Sequence, residues 1–172
     1  PEIIIVPEEA KPVSDYITSC LKSLTIDALK IAGSSGGYVD TNSLTANSFD
    51  STTGDSLEFF PESENKIAYW YHMPSSNNCG EKKNCEIKVK PVEESAVKQG
   101  VENYLLKKLP ECEKGLKDFE SKGLKIVLGS LNPKIIITNS NVKALLSQEV
   151  IVEKAEVKKV LKIKRLAVNL DQ

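Results

Sequence analysis

Residues 12–32 read PVSDYITSCLKSLTIDALKIA and form the clearest helical pattern in the chain. Apolar side chains recur there every three or four positions, which is the spacing of one buried helical stripe. The stripe comprises Val13, Ile17, Cys20, Leu21, Leu24, Ala28 and Ile31. Pro12 suits the first helical turn, and Gly33 suits a left-handed cap at the C-terminal end. The sequence therefore predicts an amphipathic helix that places Cys20 on its buried face.

The chain has four cysteines, an even number that favours disulfide pairing. Cys20 and Cys112 both fall on apolar faces of predicted helices, so a bridge between them would join two helices in the core. Cys79 and Cys85 stand near the two ends of a polar loop, which their bridge would close. Four cysteines allow three connectivities, and sequence alone leaves the choice open. Because disulfides persist in oxidising compartments, we expect an extracellular protein at the cell surface.

The rest of the chain combines helices with strands. Two further helices are expected over residues 92–109 and 111–123, and a pair of strands over 56–60 and 66–71. From residue 124 onward, short apolar strands alternate with turns, as in an antiparallel meander. The fold class is therefore α+β, with about three helices packed on an antiparallel β-sheet or meander and with disulfides stabilising the whole.

This pattern predicts one domain over residues 12–172. A helical and mixed part covers 12–123, and a C-terminal β-meander covers 124–170. Within the last strand the apolar alternation changes phase near Arg165, which predicts a β-bulge or a corner at that point.

Residues 1–11 are expected to form an extended segment ahead of the domain. A β-branched run lies there between two prolines and comprises Ile3, Ile4, Ile5 and Val6. Because proline cannot donate to a sheet ladder, such a run suits an edge strand or a strand donated to another subunit. The alternative is a linker that follows a removed membrane anchor.

Composition and charge argue against nucleic-acid binding. The 172-residue chain has a formal net charge of −1, and Arg165 is its only arginine. The chain therefore lacks both the positive field and the arginines that recruit nucleic acid. The basic stretch over residues 158–165 is expected to be a solvated edge that discourages unwanted pairing. No apolar run reaches the ~18–20 residues that span a bilayer, so a membrane anchor would have to lie upstream of Pro1.

No motif indicates catalysis or metal binding. His72 is the only histidine, and no nucleophile motif accompanies it. His72, Cys79 and Cys85 make a zinc site conceivable, but five residues separate the two cysteines, whereas structural zinc prefers gaps of about two to four. We therefore expect a non-enzymatic protein without a metal or cofactor.

An aromatic cluster is the candidate contact surface for a ligand or partner, and it comprises Phe59, Phe60, Tyr69, Trp70 and Tyr71. In a strand, alternation places Tyr69 and Tyr71 on one face and Trp70 on the other, so one set is expected in the core. The polar loop that follows would add Asn77 and Asn78 to this surface.

Several sequence blocks carry a family resemblance. They are residues 13–21 with Ala28-Leu29 and Gly36-Gly37-Tyr38-Val39, then residues 67–71, 101–104 and 109–112, and Phe119. Through them the chain resembles surface-exposed, single-pass or secreted proteins of small-genome (DPANN) archaea, over most of its length from about Pro7. The resemblance implies an outward-facing ectodomain that follows a short basic N-terminus and one hydrophobic segment. This chain departs from the pattern by lacking that segment and by adding the Cys79–Cys85 loop.

Together these observations favour a non-enzymatic extracellular protein with a structural or adhesive role. We expect a homo-oligomer, a pilus-like filament subunit that adds residues 3–6 to a sheet edge of the next copy, head to tail. The alternative is a monomeric, membrane-anchored surface domain that binds a ligand or partner through Tyr69–Tyr71 and the Cys79–Cys85 region.

Overall fold

The computed structural model describes residues 8–47, 49, 54–61, 63–72, 88–89, 92–154 and 159–171. The predicted donor strand, the loop asparagines Asn77 and Asn78 and the Cys79–Cys85 pair lie outside these residues. The chain divides into two compact units, one formed by residues 1–27 with 101–172 and the other by residues 28–100. The single domain over 12–172 stays a prediction.

The described residues contain two long helices, α1 (Lys11–Ser34) and α2 (Glu94–Glu113), rather than the three that we predicted. A 3-10 turn at Glu8–Ala10 precedes α1. The predicted helices over 92–109 and 111–123 are separated at Pro110, which lacks the N–H that an interior helical position donates. The structure instead carries α2 through Pro110 to Glu113. The predicted third helix is wrong as a separate element: only a 3-10 turn and one α-helical turn (Lys117–Glu120) follow α2.

Helix α1 also ends later than expected, and Gly36 rather than Gly33 forms its cap. Gly36 has a φ of 69°, a left-handed conformation that side chains with a Cβ disfavour. The N–H of Gly37 donates to the carbonyl of Ala32 at 2.7 Å. This six-to-one bond around a left-handed residue is a Schellman motif. Gly33 remains inside the helix.

In the unit formed by residues 28–100, the described residues form four short strands, which are β1 (Ser56–Glu58), β2 (Lys66–Ala68), β3 (Tyr71–His72) and β4 (Lys88–Val89). β1 pairs with β2 and β3 pairs with β4, both antiparallel. The predicted pairing of the first two strands is therefore confirmed. The predicted strand over 66–71, however, is divided into β2 and β3 at Tyr69 and Trp70.

The other unit contains a four-stranded antiparallel sheet of β5 (Leu124–Leu128), β6 (Asn132–Ile137), β7 (Asn141–Lys154) and β8 (Lys159–Asp171). β8 pairs with β7 along almost its whole length. On the opposite edge of β7, β6 pairs with its first half and β5 with its second half. The sheet is antiparallel as predicted, but it is not a simple meander because β5 pairs with β7 instead of β6.

A β-bulge interrupts the pairing of β7 with β8. Ser147 pairs with Arg165, whereas Val150 pairs with Ile163, so β7 carries one extra residue between these pairs. The bulge predicted near Arg165 is thereby confirmed. Gln148 occupies the bulge and is only 4 % exposed. Its Nε2 donates to Glu113 Oε1 at 2.8 Å and to the Gly129 carbonyl at 3.3 Å.

The alternation along β7 defines the buried face of this sheet. Every second side chain from Val142 to Val152 is buried, as expected for a strand with one solvated face. Apolar residues of both helices complete the core of the unit, and they include Val13, Ile17 and Leu21 of α1 and Val101, Leu105 and Leu109 of α2. Most of the predicted stripe on α1 is therefore buried.

The Cys20–Cys112 disulfide is present, with Cα atoms 6.2 Å apart. It joins α1 to the end of α2. Beside it, the hydroxyl of Tyr16 donates to the carbonyl of Cys112 at 3.0 Å, and the Tyr16 ring meets Phe119 edge to face. A side chain at Gly115 would overlap the Tyr16 hydroxyl. A residue with a Cβ at position 115 would therefore require the Tyr16 ring to move from this position.

Removing this bridge should lower stability strongly. The two cysteines are 92 residues apart, and in the chain-entropy model closing a loop of that length contributes about 4–5 kcal/mol. We expect the double variant Cys20→Ser/Cys112→Ser to lose that much free energy of unfolding in urea titrations. The matched control, Cys79→Ser/Cys85→Ser, should lose less because the loop is short. A peptide map of the unreduced protein that lacked the Cys20–Cys112 peptide would contradict this prediction.

Glu113 should make stability depend on pH. Desolvation raises its pKa above the ordinary value, and the hydrogen bond from Gln148 opposes this only partly. Between the ordinary pKa and the raised one, the folded state holds a proton that the unfolded state has released. The free energy of unfolding therefore rises as the pH falls through the folded-state pKa, and it stops rising below the ordinary pKa. We expect Glu113→Gln to melt at a higher temperature than the parent at pH 7, with a difference that shrinks toward pH 4. The exposed Glu120→Gln is the control, and the same pH-dependent difference in that variant would refute the assignment.

Candidate functional site

The outer edge of β8 is the first candidate surface, because no strand of the described residues pairs with it. Hydrogen-bonded pairs alternate along an antiparallel ladder. In the β6–β7 hairpin, the main-chain N–H of Thr138 donates to the carbonyl of Asn141 at 2.9 Å. The main-chain groups of the odd-numbered residues from Asn141 to Ser147 therefore form hydrogen bonds with β6. Those of the even-numbered residues between them form hydrogen bonds with β8.

This alternation identifies the main-chain groups on the open edge. The even-numbered residues of β7 bond to Leu166, Val168 and Leu170 of β8. The N–H and C=O groups of Ala167 and Asn169 must then point away from β7. The side chains of Ala167 and Asn169 are exposed, whereas those of Leu166 and Val168 are buried. Among the described residues, the second half of β8 thus offers a main chain without a paired strand, beside side chains that are buried in the core.

Charge divides β8 into two halves. Residues 159–165 include three lysines and Arg165, whereas residues 166–171 read LAVNLD and contain no basic residue and no proline. Lysines on an edge strand discourage the addition of another strand, as does proline. The uncharged run from Leu166 to Leu170 lacks both devices, so it is the part of the edge that can accept a strand.

The edge of β6, in contrast, is protected. Its outward-facing positions include Pro133, which has no N–H, and Ile135, whose N–H donates to Glu102 Oε1 of α2 at 2.9 Å. These are two ways of removing free donors from an edge. The open edge of β8 is therefore not a property shared with β6.

Glu102 should contribute to stability through this contact. Glu102→Ala leaves the N–H of Ile135 without its charged acceptor, so we expect the free energy of unfolding to fall by about 1.5–3 kcal/mol. Glu102→Gln keeps an acceptor oxygen at the same place and should cost under about 1 kcal/mol. Urea titrations at one pH measure both values. Equal losses in the two variants would show that the hydrogen bond is not what Glu102 supplies.

The aromatic surface of the unit formed by residues 28–100 is the second candidate. None of Tyr69, Trp70 and Tyr71 is buried, and Trp70 and Tyr71 are 55 % and 67 % exposed. The expectation that one set lies in the core is wrong, because the chain bends at Trp70 instead of continuing as a strand. The indole N–H of Trp70 donates to the carbonyl of Gly36 at 3.1 Å.

A cleft of 290 Å³ lies beside Tyr69 in the same unit. Its lining includes Tyr69, Phe59 and Phe60, together with Ser56 and Glu58 of β1. The buried hydroxyl of Ser56 has no hydrogen-bond partner among the described residues. The volume of the cleft is near the lower end of the range for small-molecule sites, about 300–1,000 Å³. Such sites are mostly apolar and contain a few polar groups.

The structure brings together only part of the predicted surface. Tyr69 lines the cleft with Phe59 and Phe60, whereas Trp70 and Tyr71 are not among its lining residues. Ser56 and Glu58 were not predicted, because their alternation on a short strand gives no functional signal in the sequence. The open edge was not predicted either, although the loss of basic residues after the stretch 158–165 is visible in the sequence.

Three further observations bear on the classes of function. Within the described ranges, no group of three or more histidine, cysteine, aspartate and glutamate side chains is arranged to hold a metal ion. No helix of the part of the chain that the structure describes is both long enough and apolar enough to cross a membrane. Comparisons with protein-family models, with curated proteins and with solved structures found no match for this chain.

Proposed function

We propose that this chain is a non-enzymatic extracellular structural protein that assembles with copies of itself by strand addition. The open edge of β8 over Leu166–Leu170 is the observation that carries the proposal. Strand addition needs an edge with unpaired main-chain groups, and it gains affinity from main-chain hydrogen bonds. The donor would be Ile3–Val6 of the next copy, a β-branched run of the kind that strands favour.

The geometry of such an assembly would be head to tail. Donor and acceptor are different segments of the same chain, so each copy offers one of each and the contact does not close on itself. Repeated contacts of this kind produce a filament unless a rotation closes them into a ring. A pilus-like or adhesive role at a cell surface is consistent with such an assembly, as is the resemblance to archaeal surface proteins.

The Cys20–Cys112 disulfide supports the extracellular location. Disulfides that staple a core persist in oxidising compartments and are rare where cellular reductants keep thiols reduced. A measurement of the redox state of Cys20 and Cys112 in protein recovered from its native source would test the location separately from the assembly.

Two variants test the strand exchange. Deleting residues 1–7 removes the donor, whereas Ala167→Pro removes an outward N–H of the acceptor without touching the β7–β8 ladder. Pro133 shows that this sheet accepts a proline at an outward-facing position. We expect each variant alone to be monomeric by light scattering and to form no filaments by electron microscopy. Ala167→Ser, which keeps the N–H, should assemble like the parent.

Mixing the two variants gives a sharper test. The deletion variant still has an acceptor edge, and Ala167→Pro still has a donor, so the mixture should form a one-to-one dimer that grows no further. Unchanged assembly of both variants would refute the proposal. A parent protein that stays monomeric at high concentration would refute it too, and would favour the second candidate.

That second candidate is a monomeric, membrane-anchored surface domain that binds a ligand or partner through the aromatic surface. The exposed Trp70 and Tyr71 and the cleft beside Tyr69 favour it. A contact through Asn77, Asn78 and the Cys79–Cys85 loop stays a prediction from the sequence.

A further inference from the structure

The positions of the prolines in the donor segment restrict how it can pair with β8. Residues 1–7 read PEIIIVP, so both prolines fall at odd-numbered positions. The main-chain groups of successive residues in a strand point alternately toward one neighbour and away from it. If the odd-numbered donor residues bonded to the acceptor, Pro7 would stand at a bonding position without an N–H to donate. The even-numbered residues Ile4 and Val6 therefore suit the bonding positions.

Charge restricts the pairing further. Glu2 is even-numbered like Ile4 and Val6, so in a strand the side chains of all three lie on one face. On the buried face of the sheet the carboxylate of Glu2 would lose its hydration, which is far more costly than burying an apolar group. The even-numbered side chains of the donor therefore suit the exposed face of the sheet, and Ile3 and Ile5 suit the buried face.

These two conditions select the antiparallel orientation. The outward main-chain groups of β8 belong to Ala167 and Asn169, whose side chains are exposed. In an antiparallel pair, residues that bond to each other lie directly opposite and share a face, so Ile4 and Val6 would lie on the exposed face. In a parallel pair, a bonding residue lies opposite one that points away from it. The even-numbered side chains would then lie on the buried face, with Glu2 among them.

From these conditions we propose that the donor adds to β8 in the antiparallel direction, with Ile5 opposite Val168, and that Ile3 and Ile5 are the side chains that enter the buried face. This register rests on the proposed strand addition and specifies it. Val168 is 6 % exposed and Leu170 is half-buried. Ile5 lies beside Val168 and Ile3 lies opposite Leu170, where each removes apolar surface from water.

The same register aligns the two uncharged runs. Residues 3–7 of the donor carry no charged side chain, and neither do residues 166–170 of β8. Pro7 falls opposite Leu166, whose main chain bonds to β7. The missing N–H of the proline therefore removes no hydrogen bond to β8. A shift by two residues in either direction would place part of the donor beyond the uncharged run of β8.

Threonine substitutions separate the two faces of the donor. Threonine keeps the β-branched shape that suits a strand, but it is more polar than isoleucine. We expect Ile3→Thr and Ile5→Thr each to raise the protein concentration at which filaments form by at least about tenfold, because each loses buried apolar area. Ile4→Thr is the matched control and should raise that concentration less than about threefold, as expected for an exposed site. Light scattering across a dilution series measures these values, and circular dichroism checks that the variants are folded.

A labelling experiment identifies the buried face without a change of affinity. Cysteine is a small apolar side chain, so Ile4→Cys and Ile5→Cys should both assemble. In the assembled protein, we expect a maleimide to label Ile4→Cys at least about tenfold faster than Ile5→Cys, because thiol reactivity follows exposure. The parent protein gives the background from the native cysteines.

The outcomes separate this register from the strand addition on which it rests. A greater loss of assembly in Ile4→Thr than in Ile5→Thr, with protection of the thiol of Ile4→Cys, would overturn the register and leave strand addition standing. Equal effects in the three threonine variants, or equal labelling of the two thiols, would overturn it too, because the donor would then have no buried side. A parent protein that forms no filaments would refute strand addition itself, and the register with it.

Discussion

β7 is the strand on which its whole unit depends, because β5, β6 and β8 all form their ladders with it. Because β7 is paired on both edges, the outer edges of this sheet lie on its partners. The bulge at Gln148 lets β7 keep one buried face while β8 changes phase opposite it. The location of the open edge on β8 is therefore a consequence of how β7 is paired.

The end of α2 is fixed at several points within two residues. Cys112 is bonded to Cys20 and its carbonyl accepts the hydroxyl of Tyr16, while Glu113 accepts the amide of Gln148 in the bulge. A covalent bond and two hydrogen bonds thus join α1, α2 and β7 at one place. Burial at this place also raises the pKa of Glu113.

The sequence predicted those features that depend on patterns among residues close together in the chain. Helix α1 follows from its 3.6-residue periodicity, the Cys20–Cys112 bridge from two cysteines on such faces, and the bulge from the phase change near Arg165. The wrong predictions are those in which tertiary packing overrides the preference of the local sequence. Pro110 does not end α2, Trp70 bends a run that alternation predicted to be straight, and β5 pairs with a strand that is distant in sequence. The cleft could not be predicted, since it arises where segments apart in the chain meet.

The acceptor edge also limits how strong a strand-exchange contact can be. A donor of four residues directs the main chain of only two of them toward its partner, which gives about four hydrogen bonds. Each contributes about 0.5–1.5 kcal/mol net, a sum comparable to the cost of bringing two molecules together. In the proposed assembly, burial of the isoleucine side chains of the donor would therefore have to supply much of the affinity. A contact of this strength would favour assembly where copies are already concentrated, as on a surface, over assembly in dilute solution.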